Sequence, residues 1–155
     1  MTLYASDKMR ECSCGLAALR TVSRIYYCII QALVSPRPKI LIIDDDTSHL
    51  KLYSWILERG GFVPTTVLVS LTGVELPQEQ QFDLVLLDYR FSSSITAIEV
   101  AYRIKQNWPG TPIVILSDMM WMPDDIAHLV DGFIHKGDPE GFVDRINQIL
   151  KQAQA

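Results

Sequence analysis

The chain has 155 residues, 48% of them hydrophobic, which fits one globular domain with a proper core and excludes a disordered chain. Its net charge of −4 is divided unevenly: residues 1–38 hold five Lys/Arg against two Asp/Glu, and residues 39–155 hold nine against sixteen. An acidic main body offers no clustered basic face, so nucleic acid is excluded as a non-specific partner.

The head, residues 1–38, reads as an extension of the main body at 39–155. Leu19, Val22, Tyr26, Ile29 and Leu33 recur at helical spacing and predict an amphipathic helix over Leu16–Val34, stopped by the two prolines of "SPRPK". Its apolar run "IYYCIIQALV" is shorter than the roughly 20 residues a membrane span needs. Gln31 interrupts it and no small-x-small site follows, which argues against a secretory signal. Three readings stay open, in this order: a dispensable extension, a helix that pairs with a partner, and a membrane-attached segment. All three cysteines (Cys12, Cys14, Cys28) lie here; an odd number in one segment gives no disulfide framework, and a reducing cytoplasm is the simple reading. The pair in "CSC" lacks companion ligands for a metal site.

From Lys39 onward, short apolar runs alternate with segments of helical period. The runs "KILII", "FVPTTVLV", "DLVLL", "TPIVIL" and "GFIH" predict five strands, and their continuous apolarity predicts burial on both faces, hence a parallel sheet covered by helices. Leu50, Tyr53 and Leu57 mark one helix face, stopped by "RGG"; Ala97, Ala101, Ile104 and Trp108 mark a second, stopped by "WPG"; Phe142, Val143, Ile146, Ile149 and Leu150 mark a third. "TGVELPQEQQ" carries Pro77 in its middle and predicts a short or broken helix. Between Ser117 and Phe133 there is room for about two helical turns, from Pro123 to Val130. Strands interleaved with helices through right-handed crossovers make an α/β doubly wound sandwich.

In such folds ligands bind beyond the carboxyl ends of the strands. Asp44, Asp45 and Asp46 follow the first run, Asp88 the third, Ser117 the fourth and Lys136 the fifth. A polar residue after a strand is ordinarily a turn residue or a cap, and Asp46 or Thr47 can cap the next helix. Two acids, a hydroxyl and an ammonium at successive strand ends are a different matter. No Gly-rich turn follows the first strand, which excludes a dinucleotide fingerprint and a Walker loop. A hard cation such as Mg²⁺ takes oxygen ligands, and Asp44, Asp45 and Asp88 can supply them while the ion offsets their repulsion.

The motifs "ILIIDDD", "FDLVLLDYR", "IEVAYRIK", "TPIVILSD" and "GFIHKGDPEGFVDRI" give residues 39–151 a specific resemblance to two-component response-regulator receiver domains. That resemblance implies the flavodoxin-like fold with strand order 2-1-3-4-5. It makes Asp44 and Asp45 the metal-binding pair and Asp88 the phosphoacceptor, loaded from a histidine kinase or phosphotransfer protein. It gives Ser117 the hydroxyl that bonds the phosphoryl oxygen and Lys136 the pairing ammonium. Phe133 falls at the aromatic switch position, and Arg90 at the position whose carbonyl completes the Mg²⁺ shell. The implied function is a single-domain response regulator that signals to a downstream protein and is a switch, with no turnover of a separate substrate.

Some positions depart from the family pattern. Gly137 stands where a cis-proline is common, Asp118 replaces a small residue beside the pocket, and "YRFSSSI" lacks the usual proline. A degenerate receiver acting without phosphate is therefore one alternative. A haloacid-dehalogenase-type phosphatase with Asp44 as nucleophile is another, on "IIDDDTS", "VILSD" and "KGDP", but it leaves Asp88 without a role.

Overall fold

The computed structural model describes residues 36–78 and 80–153; the helix predicted over Leu16–Val34 and the "CSC" pair lie outside them. All five predicted strands form: β1 (Lys39–Asp44), β2 (Val63–Leu68), β3 (Leu84–Asp88), β4 (Ile113–Ser117) and β5 (Gly132–His135). They make one parallel sheet in the order β2-β1-β3-β4-β5. β3 and β4 are buried along their whole length, the burial on both faces that their unbroken apolar runs predict.

Side chains alternate across a strand, so each run feeds two cores. Ile40, Ile42, Leu84, Leu86, Val114, Leu116 and Ile134 face one side and pack against α1 (Thr47–Arg59) and α3 (Pro139–Ala153) through Leu50, Tyr53, Leu57, Phe142, Ile146 and Ile149. Tyr53 and Phe142 stack at 5.2 Å between ring centroids, joining the two helices. α3 lies so close to β5 that a Cβ at Gly132 would sit 2.7 Å from Ile149 Cδ1. The opposite face takes Leu41, Ile43, Val85, Leu87, Ile113 and Ile115 against α2 (Ala97–Asn107), whose Ala97, Val100, Ala101 and Ile104 are buried. Each fully buried Leu or Ile contributes about 1.5–3 kcal/mol.

The helix ends carry the expected chemistry. Asp46 caps α1, accepting the Ser48 N–H at 2.6 Å. Thr96 and Glu99 form a reciprocal capping box on α2. Asp138 accepts the Gly141 N–H at 3.0 Å at the start of α3.

Two expectations need correction. Pro123–Val130 forms turns and no helix, with Leu129 N–H reaching only back to Ile126 at 2.9 Å. Ile126 is fully buried there and Leu129 and Val130 are partly buried against the α2-side core, but two turns close too few helical hydrogen bonds for so short a stripe to offset the cost of nucleating a helix. The segment around Pro77 is likewise not helical: it makes a small bridge at Ser70 and Gly73, then runs irregularly with Val74 and Phe82 buried.

Candidate functional site

Strand order reverses between β2-β1 and β1-β3, so the carboxyl ends of β1 and β3 are where a crevice is expected. Asp44 continues the Ile40–Ile42 series and Asp88 the Leu84–Leu86 series, so both emerge on the α1/α3 side. Asp44 is fully buried and Asp88 is 4% exposed. The Lys136 Nζ lies 3.0 Å from Asp88 Oδ1 and 3.3 Å from Asp44 Oδ2, reaching back from the turn after β5.

The three consecutive aspartates are relieved in three ways. Asp44 accepts the Asp46 N–H at 2.8 Å and shares Oδ2 with Lys136 and with His49 Nδ1 at 3.3 Å. Asp45 accepts the backbone N–H of Ser92 from the loop after β3. Asp46 is taken up by the α1 cap. Burial raises the Asp88 pKa above the ordinary carboxylate value, Lys136 only partly offsets this, and the nearby Asp44 adds to it. Burial disfavours the Lys136 charge too, but its bond to Asp88 and the charges of Asp88 and Asp44 outweigh that and hold its pKa above the ordinary one. At Asp45 burial is the largest single influence and pushes the carboxyl up, but the Ser92 N–H and hydroxyl, its own backbone N–H and the Lys136 charge together outweigh it and hold the carboxyl below its usual value.

Asp44, Asp45 and Asp88 each present an oxygen within 4.8 Å of the others. Oxygen ligands at about 2.0–2.1 Å from a shared Mg²⁺ stand up to roughly 4.2 Å apart, so small side-chain adjustments let this all-carboxylate set hold a hard divalent ion. The cluster opens into a cavity of about 710 Å³ whose walls include Asp45, Asp88, Arg90, Ser92, Asp118 and Lys136.

Arg90 sits at the cavity wall, and its N–H points to Asp88 Oδ1 at a long 3.4 Å. Ser117 ends β4 on the other face; it is 1% exposed and accepts the Met119 N–H at 3.1 Å, so its hydroxyl is engaged outside the acid cluster. Phe133, half-buried on β5, packs with the α2-side core. Asp118 is exposed in the cavity wall. Two participants are not evident from sequence motifs, His49 and Ser92. The helix period does give a signal for His49, four residues before the buried Tyr53, whose ring lies 6.3 Å away. Ser92 has no such signal, since the path of an irregular loop sets its position.

The family model of the response regulator receiver domain matches residues 40–147. The chain belongs to that family. Among curated relatives, this receiver domain is 27% identical over 118 residues to the transcriptional regulatory protein GlrR of Escherichia coli (strain K12), a match covering 74% of the chain and 26% of the relative. It is 40% identical over 80 residues to the nisin biosynthesis regulatory protein NisR of Lactococcus lactis subsp. lactis, covering 51% and 34%. The matches thus span only about a quarter to a third of those relatives. The crystal structure of a CheY-like response regulator receiver domain protein from Methanospirillum hungatei JF-1 shares the fold at a TM-score of 0.63 and 19% identity, over 76% of this chain and 97% of that one. Receiver domains are signalling domains of two-component systems and bind Mg²⁺ at an acidic pocket; Asp44, Asp45 and Asp88 form such a pocket here. Among the described residues, no helix is long and apolar enough to cross a membrane.

Proposed function

We propose that this receiver domain, residues 39–155, accepts a phosphoryl group on Asp88 from a histidine of a partner kinase or phosphotransfer protein in the cytoplasm. One observation carries the reading: Lys136 Nζ stands 3.0 Å from Asp88 Oδ1 inside a cluster of three carboxylates. An Asp88 carboxylate oxygen attacks phosphorus, the P–N bond to the donor histidine breaks, and its electron pair returns to the imidazole. Asp44, Asp45 and Asp88, with the Arg90 carbonyl, would hold Mg²⁺, which when bound draws negative charge from the phosphoryl oxygens. Lys136 pairs with another of those oxygens, and Ser117 exchanges its Met119 bond for one to the phosphoryl group. Because Ser117 and Phe133 belong to the α2 face, that exchange shifts the segment after β4 and lets the Phe133 ring move, presenting a changed surface to a downstream protein. The domain catalyses only its own loading and unloading.

Incubation with acetyl phosphate and Mg²⁺, followed by peptide mass spectrometry, tests this. A phosphoryl adduct on Asp88, absent in Asp88→Asn, is expected; loading elsewhere overturns the assignment. The acidic Asp118 in the cavity wall favours a second reading, a phosphate-independent interaction module. Absence of loading from both acetyl phosphate and beryllofluoride would select it.

A further inference from the structure

His135 and Gly137 flank Lys136, and their side-chain and backbone groups meet. The Gly137 N–H donates to His135 Nδ1 at 3.0 Å. With Nδ1 accepting, the neutral ring carries its proton on Nε2, which faces the Asp118 carbonyl at 3.3 Å and donates to it. Between these contacts, the Lys136 N–H donates to the Ser117 carbonyl at 2.8 Å. The imidazole therefore joins the turn that follows β5 to the segment that follows β4, beside the backbone bond linking Lys136 with Ser117. Gly137 fits this arrangement in two respects. A proline there would have no N–H to donate. A Cβ there would lie 2.8 Å from His135 Cε1 and 3.0 Å from Nδ1, so any side chain displaces the ring.

We propose that His135 and Gly137 form a single positioning device in which the imidazole clamps the two turns together and holds Lys136 against Asp88. The function of the clamp rests on the receiver reading of Asp88 and Lys136, whereas its existence does not. The glycine at 137 and the histidine at 135 are thus complementary: one supplies the N–H and the space, the other fills both.

The test uses the full chain and four variants: His135→Ala, Gly137→Ala, the double variant, and His135→Asn, whose side-chain oxygen can accept the same N–H. Long-range ¹H–¹⁵N correlation without ligand should show the Nε2–H tautomer of His135, and the Gly137 amide should exchange slowly, then faster in His135→Ala. Affinity for beryllofluoride with Mg²⁺ should fall about fivefold in His135→Ala, the size of one net hydrogen bond. Gly137→Ala should cause the same loss, the double variant no further loss, and His135→Asn should recover part of the affinity. The Nδ1–H tautomer, or a Gly137→Ala effect that is the same with and without His135, overturns the proposal. If the unaltered chain binds no beryllofluoride, the receiver function fails, while the tautomer and the Gly137 exchange still decide the clamp.

Discussion

The two faces of the sheet are built to different standards. On one, α1 and α3 pack side by side and interlock through Tyr53 and Phe142. On the other, α2 shares the cover with non-helical residues at 69–78, 80–82 and 118–130. Asp44, Asp88 and Lys136 gather on the side of the two-helix layer, whereas Ser117 and Phe133 belong to the other. The groups to which the proposed function assigns the chemistry thus stand on the better-braced layer. Ser117 and Phe133, the groups that the proposed function sets in motion, stand where few helical hydrogen bonds oppose local opening.

The largest expected effect tests that asymmetry directly. Leu57 and Ile126 are both fully buried, one in each layer. Leu57→Ala should cost about 3–5 kcal/mol, since two helices cannot collapse into the cavity, and Ile126→Ala about 2 kcal/mol, since an irregular segment can settle. Urea denaturation of both variants measures this. Equal losses would mean that the second face is as rigid as the first.

The same asymmetry explains what could be read in advance. Strands buried on both faces announce themselves as unbroken apolar runs, and α1, α2 and α3 each show one buried stripe, so the braced layer was legible throughout. The segment around Pro77 carries scattered anchors such as Val74 and Phe82, a pattern without a period, whereas Ile126, Leu129 and Val130 do recur at helical spacing. A two-turn helix at Pro123–Val130 is a natural but incorrect inference from them, since so short a stretch does not meet the cost of nucleation. In the site, Asp44, Asp45, Asp88 and Lys136 were legible because each stands at or just beyond the carboxyl end of a strand. The Ser92 amide that holds Asp45 was not, because it comes from 47 residues away along a loop whose course no local pattern encodes. Nor does the order of residues reveal that the Ser117 hydroxyl bonds Met119.

A smaller effect concerns the cost of gathering charge on the braced side. Folding raises the Asp88 pKa, chiefly through burial, so the native chain binds this proton more tightly than the unfolded one. Stability of the metal-free protein should therefore fall as pH rises from the ordinary value of 3.8 through the raised native one, and remain lower above it. Asp88→Asn removes that contribution and should raise the urea midpoint at neutral pH. The same substitution in saturating Mg²⁺ should lower the midpoint, because a ligand of the ion is lost. An unchanged midpoint in both conditions would mean that Asp88 carries no such penalty and holds no ion.

The smallest effect lies at the junction of the two layers, where Asp118 brings the segment after β4 into the cavity wall. Its exposed carboxylate repels an approaching phosphodonor anion without touching the ion site, and bulk water screens most of that repulsion. Asp118→Asn should speed loading by acetyl phosphate about two- to threefold at low salt, with the gain shrinking as ionic strength rises past about 0.1 M. A gain that persists at 1 M salt would point to a direct contact in place of a long-range field. A loss would mean that Asp118 helps hold the segment after β4 in its loading geometry, placing part of the chemistry on the less-braced face.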